Sequence, residues 1–331
     1  MKNKIFMLFT IISVTLSMVG CSVKTKEVIK HCDGNRSLFL VAGFDDAAEN
    51  TDVLFTLGYD SSTDTAYVAQ IPRDTYFNFG KQQNKINQIY ASARAEGMSP
   101  EAAMKYTSET ISEAFGTEFD GFAAIGISTF VSMVDAIGGI DIDLSDDMNI
   151  SADEEKLVIL KKGHNHIDGE TAEQLVRFRS GYAMGDLGRI DAQKIFLNAL
   201  FKKISGGLTL LDLVRLANTF YNDVVTDIKL SDAIQTLSGG LSKKGDKTVM
   251  YATVPGEPVN YKNVSFYILN RKSAAEIAER YMFSENDFDA DTRFCNCTDQ
   301  ISKDIYYDDG IAIREYISDR IGEIKITSKR N

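Results

Sequence analysis

Three short runs near the start of the chain limit its fold more than anything else in it: Ser37 to Ala42 (SLFLVA), Val53 to Tyr59 (VLFTLGY) and Thr65 to Ile71 (TAYVAQI). They are rich in β-branched and aromatic residues, and Asp60 to Asp64 supplies turn chemistry between the second and third, so all three read as strands. Their apolar residues are nearly continuous instead of alternating with polar ones, which predicts a sheet covered on both faces. The cover comes from farther along. Gln88 to Glu96, Pro100 to Phe115 and Ser128 to Ile137 read as helices, with strands at Phe119 to Ile127 and Ile140 to Leu144, the latter after the turn Gly138-Gly139. Alternation of strand and helix predicts an α/β domain with a mixed central β-sheet and helices on both faces.

The stretch Leu175 to Gln193, LVRFRSGYAMGDLGRIDAQ, concentrates positive charge in a chain whose 47 acidic residues outnumber its 36 lysines and arginines, for a net charge of −11. That acidic balance argues against nucleic acid as a partner, because backbone binding needs a basic footprint. Val176 and Phe178 suit a strand, and a period of two then places Arg177 and Arg179 on one face. Asp186, following a glycine, reads as the N-cap of a helix, with Arg189 and Gln193 on the same helical face. Guanidinium forks and a helix start can converge on one phosphate group. The alternative is that these arginines neutralise neighbouring carboxylates on a solvated face.

Two carboxylates flank another loop mouth, Asp45 just past the first strand and Asp52 just before the second. Mg²⁺ takes one or two carboxylates plus phosphate oxygens and water, so this pair suits that ion, although either aspartate alone also suits a turn cap. Ile71-Pro72-Arg73-Asp74 closes the third strand with an arginine and a carboxylate at its end, where sheet proteins place ligand-contacting groups. Lys85-Ile86-Asn87 follows. His164-Asn165-His166 reads as a solvated polar turn and not as a zinc site, having no third ligand nearby in sequence. No Ser, Cys or His constellation suggests a nucleophile triad.

Residues 1–22 read as a targeting segment, with Lys2 and Lys4 ahead of an apolar run from Ile5 to Val19. At helical rise the run covers roughly 22 Å, short of the ~30 Å hydrocarbon core. Met18-Val19-Gly20-Cys21 resembles a bacterial lipoprotein processing box, which makes Cys21 a lipidation site; the alternative is a signal anchor. Either places the folded part outside the cytoplasm, tethered to the membrane. Export permits disulfides, yet Cys295 and Cys297 are one residue apart and with Cys32 make an odd number, so no pairing is assigned.

The order of short motifs G-F-D (Gly43 to Asp45), T-D (Thr51-Asp52), I-P-R-D (Ile71 to Asp74), K-I-N (Lys85 to Asn87), D-A-I-G-G-I (Asp135 to Ile140), D-G-E-T-A (Asp168 to Ala172), V-R-F-R (Val176 to Arg179) and G-D-L-G-R-I-D-A-Q (Gly185 to Gln193) resembles the LytR-CpsA-Psr family, from about Ser37 to roughly Pro258. These are membrane-attached cell-wall proteins of mostly Gram-positive bacteria. The resemblance implies a phosphotransferase that moves a glycopolymer, such as teichoic acid or capsule, from an undecaprenyl-pyrophosphate carrier to peptidoglycan. It implies that Asp45 and Asp52 hold Mg²⁺, that Arg73, Arg177, Arg179 and Arg189 grip phosphates, and that Asp74 and Asp186 are its acidic positions. A carboxylate near the acceptor takes its proton, which suits Asp74 or Asp186, the alternative being that either only orients an arginine. Lys85, Asn87 and Gln193 are assigned to substrate binding. Asn50 and Ala192 depart from the pattern, standing where the family usually carries arginine. Each lost charged hydrogen bond is worth about 1.5–3 kcal/mol, so the departures imply weaker pyrophosphate binding.

Two other functions fit the same residues: a pyrophosphatase acting on polyprenyl pyrophosphate, with water replacing the acceptor, and a non-catalytic polyprenyl-phosphate binding or regulatory protein. Ile190 to Ile204 carries an apolar face through Ile190, Phe196, Leu197, Leu200 and Phe201, which suits either core packing or the polyprenyl pocket the resemblance implies. Leu208 to Thr219, Ser231 to Leu241 and Ser273 to Met282 read as further helices, with Lys247 to Val254 as a final strand. Ala312 to Ile317 and Ile321 to Ile326 also have ordered character. The expected organisation is a leader or anchor at 1–22, a linker at 23–36, the catalytic domain at 37–282 and a C-terminal extension of unassigned role at 283–331.

Overall fold

The computed structural model describes residues 35–45, 50–79, 82–150, 158–177, 186–231, 248–261, 263–285, 293–294, 313–318 and 325–329. Strands β1 (Arg36–Phe44), β2 (Thr51–Asp60) and β3 (Thr65–Gln70) occupy the three apolar runs, as expected, and form an antiparallel meander, with β2 beginning early enough to include Asp52. A hairpin of β4 (Tyr76–Phe79) and β5 (Gln82–Lys85) leads through a 3₁₀ turn into α1 (Ile89–Ala95) and then α2 (Pro100–Phe115). Next come β6 (Gly121–Gly126), α3 (Ile127–Ala136), β7 (Ile140–Leu144), the short β8 (Met148–Asn149) and β9 (Ile159–Leu160), and β10 (Gly163–Ile167). Helices α4 (Gly169–Arg177), α5 (Asp186–Gly207) and α6 (Leu210–Phe220) precede β11 (Val224–Thr226), β12 (Thr248–Thr253), β13 (Gly256–Tyr261) and β14 (Val264–Leu269). Helix α7 (Arg271–Tyr281) and strands β15 (Ile313–Ser318) and β16 (Lys325–Lys329) complete the order.

Eight strands make the main sheet in the order β11-β6-β1-β2-β3-β12-β15-β16. Pairs β1/β6 and β3/β12 are parallel and the other neighbours antiparallel, so the sheet is mixed. Successive side chains of a strand point to opposite faces, and both faces here are apolar. From the central strands, Phe39, Val41, Phe55, Leu57, Val68, Ala123 and Ile125 enter one layer with α3, α4, α5 and α6. Leu38, Leu40, Leu54, Ala69, Phe122 and Ala124 enter the other with α1, α2 and α7. Burial on both sides is the reason these strands read as continuous apolar runs.

Local chemistry sets the helix ends. Helix α2 starts at Ser99, whose hydroxyl accepts from the Ala102 N–H at 3.2 Å ahead of Pro100, and stops at Gly116, which takes the left-handed conformation at φ 62°. Helix α7 starts on the Asn270 side chain, which accepts from the Ser273 N–H at 3.1 Å.

Three expectations need correction. The strand expected from Val176 is not formed where the chain is described: Val176 and Arg177 belong to α4, because Asp168 accepts from the Thr171 N–H at 2.9 Å and Ala172, Leu175 and Val176 bury one helical face, while Phe178 and Arg179 lie outside the described residues. Second, the segment around His164 and His166 is not a turn but strand β10, paired with β7 so that His164 faces Asp143 and His166 faces Asp141. His166 Nδ1 bonds Asp141 Oδ1 at 2.8 Å and holds that carboxyl below its usual range. Third, β12 is not the last strand; β13 to β16 follow, and β15 and β16 from the C-terminal segment extend the main sheet. The expected helix at Ser231–Leu241 lies almost wholly outside the described residues, as do residues 1–34, Cys295 and Cys297.

Helices α3 and α4 approach closely at Gly169. A Cβ there would run into the Val131 carbonyl oxygen, and the Gly169 N–H donates to Asp135 at 2.7 Å. Replacing Gly169 by alanine must push the two helices apart, so we expect Gly169→Ala to lose about 1–3 kcal/mol of stability in urea unfolding.

Candidate functional site

Four strand ends meet at one edge of the sheet. Strand β1 ends at Phe44, which pairs with Thr51 at the start of β2 and with Gly126 at the end of β6. On the far side of β2, strand β3 ends at Gln70 and continues into Ile71-Pro72-Arg73. This topology brings Asp45, Asp52 and Arg73 to one edge, as the sequence motifs imply. The Arg73 guanidinium contacts the Asp52 carboxylate through Nη1 and Oδ1, with the two side chains 16% and 24% exposed. Residue 87 stitches the arginine loop to the sheet: its N–H donates to Arg73 O at 3.4 Å and its carbonyl accepts from Thr51 Oγ1 at 3.4 Å.

Lys85, the last residue of β5, donates to Asp74 Oδ1 at 2.8 Å and lies 5.8 Å from the ring centroid of Phe266 on β14. The backbone of Asp74 is fixed from the same strand, its carbonyl accepting from the Tyr267 N–H at 2.8 Å. Asp74 is thus held by its backbone beside the Lys85 ammonium. Asn87 is buried, and its side chain is not among the cavity-lining groups below.

An apolar cavity of about 110 Å³ lies between the ends of β1, β2 and β6 and helices α3, α4 and α5. Val53, Phe130, Val134, Val176, Phe196 and Leu200 are among its lining residues, and the rings of Phe130 and Phe196 are 5.0 Å apart. Asp45, Asp52, Arg177 and Gln193 share its wall. On the apolar face of α5, Phe196, Leu197 and Leu200 line the cavity, and Ile190 and Phe201 are buried in the core.

Arg177 is exposed and pairs with Glu173 one helical turn back at 2.7 Å. Gln193 is buried with both polar ends engaged: its Oε1 accepts from Gln70 Nε2, and its Nε2 donates to the Val176 carbonyl at 3.0 Å. Asp186 and Arg189 lie in the first turn of α5, the predicted helix start; Arg179 and Cys21 lie outside the described residues. Ala192 is buried in the apolar layer and Asn50 sits beside the start of β2. Gln70 and the α3 residues of the cavity wall were not singled out by sequence; the signal for Gln70 is one amide ending an otherwise apolar strand.

The donor set at Asp45 and Asp52 fits Mg²⁺. Two carboxylates share the cavity wall, among the described residues without a thiolate or imidazole that would favour a softer ion, and Mg²⁺ commonly completes its shell with phosphate oxygens and water.

Residues 15–282 match the LytR_cpsA_psr family. Over 205 residues the chain is 29% identical to Bacillus subtilis TagV, named a polyisoprenyl-teichoic acid–peptidoglycan teichoic acid transferase, covering 59% of this chain and 50% of that one. It is 27% identical over 246 residues to the cell wall biosynthesis protein LcpA of Corynebacterium glutamicum, covering 66% of this chain and 45% of that one. The chain thus spans about half the length of these relatives. Its fold is similar to the crystal structure of Bacillus subtilis TagV, with 23% identity, TM-score 0.60 and coverage of 76% of this chain and 99% of that one. It is likewise similar to TagT bound to LIIa-WTA, with 22% identity, TM-score 0.63 and coverage of 78% and 95%.

Gly126 tests whether the cavity accepts apolar ligands. It lines the cavity at φ −76°, and a Cβ there meets nothing within 4 Å. We expect Gly126→Leu to fold with stability within about 1 kcal/mol of the parent while abolishing the fluorescence gain of an apolar naphthalene dye.

Proposed function

The chain belongs to the LytR_cpsA_psr family, and on that premise we propose that it transfers a cell-wall glycopolymer from undecaprenyl pyrophosphate to peptidoglycan, forming a phosphodiester link. One observation carries the proposal: an apolar cavity whose wall includes Asp45, Asp52 and Arg177, with Arg73 against Asp52. A polyprenyl pyrophosphate has the matching division, a hydrocarbon chain ending in a compact anion. Each methylene buried in the cavity contributes about 0.8 kcal/mol, so the chain anchors the donor while the arginines select its head group.

In this scheme Arg73, Arg177, Arg179 and Arg189 bind the pyrophosphate oxygens and spread the charge that develops as transfer proceeds. Asp45 and Asp52 would hold Mg²⁺, which supplies further charge neutralisation at those oxygens. The acceptor sugar hydroxyl forms a bond to the glycan-bearing phosphorus, and the bond from that phosphorus to the bridging oxygen breaks, releasing polyprenyl phosphate. Asp74 acts by fixing the Lys85 ammonium beside the Arg73 loop, and Asp186 takes the proton of the acceptor hydroxyl. Asn50 and Ala192 weaken the phosphate grip relative to a site carrying arginine there. The folded part works outside the cytoplasm, tethered through residues 1–22 as a signal anchor or through a lipid on Cys21. Among the described residues no helix is long and apolar enough to cross a membrane.

The test is turnover of a polyprenyl-pyrophosphate-linked sugar by the full-length protein in detergent, with Mg²⁺ and peptidoglycan oligomers, read by mass spectrometry. We expect acceptor-linked product, reduced at least about 100-fold in both Arg73→Ala and Asp52→Ala. Free phosphate without linkage would establish a pyrophosphatase instead. Lipid retained without turnover would establish a binding protein.

A further inference from the structure

We infer that Gln70 is a positioning residue for the phosphate-binding side of the site, acting through Gln193 on the ends of α4 and α5 that carry Arg177 and Arg189. The inference rests on the transferase reading above for the chemistry of the ligand's head group.

The hydrogen-bond directions follow from one fixed point. The Val176 carbonyl lies in the last turn of α4, where carbonyls have no partner within the helix, and it can only accept. The end of the Gln193 amide that meets it at 3.0 Å must therefore be Nε2, which turns Oε1 toward β3. Oε1 in turn requires a donor, and Gln70 provides it with its own Nε2. The Oε1 of Gln70 is then left as a buried acceptor with no hydrogen-bond partner, as observed. Both glutamines are buried, at 3% and 4% exposure, so water does not compete for these bonds.

An orphaned buried acceptor is costly. A leucine of similar size would fill the strand position without that cost, so the amide at Gln70 is poorly explained by stability alone. What it adds is direction. Without a donor from β3, the Gln193 amide loses the contact that sets its orientation, and in the flipped state its oxygen would face the Val176 oxygen. Arg177 follows Val176 directly, and Arg189 lies one turn before Gln193 on α5. Two bonds therefore tie β3, three residues before Arg73, to α4, whose Arg177 lines the cavity, and to α5, which carries Arg189 in its first turn.

The chain of donors gives a test that a purely structural role would fail. In Gln70→Glu, a neutral carboxyl can still donate its O–H to Gln193, whereas the ionised form offers only acceptors. Burial raises the pKa of such a carboxyl by desolvation, so the competent neutral form dominates at low pH and is lost as pH rises through that raised value. Binding of farnesyl pyrophosphate and of farnesol to the full-length protein in detergent is measured by calorimetry between about pH 5 and pH 8. We expect Gln70→Leu to bind the pyrophosphate at least about tenfold more weakly than the parent and to bind farnesol equally well. Gln70→Glu should match the parent at the acid end and approach Gln70→Leu at the alkaline end.

Farnesol affinity reports an intact cavity, and Gln70→Glu at low pH decides the matter should Gln70→Leu not fold. Parental pyrophosphate preference in Gln70→Leu, or no pH dependence in Gln70→Glu beyond that of the parent, overturns the inference. A parent that binds both probes alike overturns the transferase reading itself, and the inference with it.

Discussion

Burial of the central sheet on both faces is the constraint on which the rest of the structure depends. With apolar layers on each side, the faces of β1, β2 and β3 leave little room for charge, so charged chemistry moves to the strand ends. The meander then decides which ends coincide. Because β1 and β3 both run against β2, the exits of β1 and β3 meet the entry of β2 at one edge, and the parallel β6 ends there as well. Asp45, Asp52, Arg73 and Gly126 are neighbours through topology, despite being spread along more than eighty residues of chain.

Within that edge, cations are already matched to carboxylates. Arg73 meets Asp52, Lys85 meets Asp74 and Arg177 meets Glu173. Such partly exposed pairs contribute little to stability, about 0–1 kcal/mol each, so their main effect is on placement. They hold long, flexible side chains in place, which would reduce the ordering that binding an anion there requires. On the proposed function an anion would compete with a carboxylate, and a cation shared between Asp45 and Asp52 would offset the negative charge that competition leaves.

Much of this was legible in the sequence, and the failures have physical reasons. The runs at Ser37, Val53 and Thr65 gave strands because two-sided burial writes itself as continuous apolar sequence. Ser99-Pro100 and Phe115-Gly116 fixed α2 at both ends through capping chemistry. The stretch around Arg177 misled because Val-Arg-Phe-Arg has the alternation of a strand, while the helix-forming signal, Asp168 followed by Ala172, Leu175 and Val176 at helical spacing, lies upstream of it. His164 and His166 looked like turn residues for their polarity. They are the outer face of a ribbon whose inner face, Ile140, Ile142, Leu144 and Ile167, is buried. Gln193, which lines the cavity, stood out in the sequence, but its partner Gln70 did not, since a contact across 123 positions leaves no local pattern.

The contrast between Gln193 and the ion pairs reflects where each can exist. Next to an apolar cavity an ion pair would lose hydration that its mutual attraction does not reliably restore, whereas an amide carries no net charge and loses less on burial. A neutral cross-link of two glutamines is therefore the polar connection suited to the sealed layer, and guanidinium–carboxylate pairs suit the partly hydrated edge. The two kinds of bond are mechanically joined. Gln70 and Arg73 are three residues apart at the end of β3, so the strand that places one arginine at the mouth also sets, through Gln193, the helix ends that carry the others.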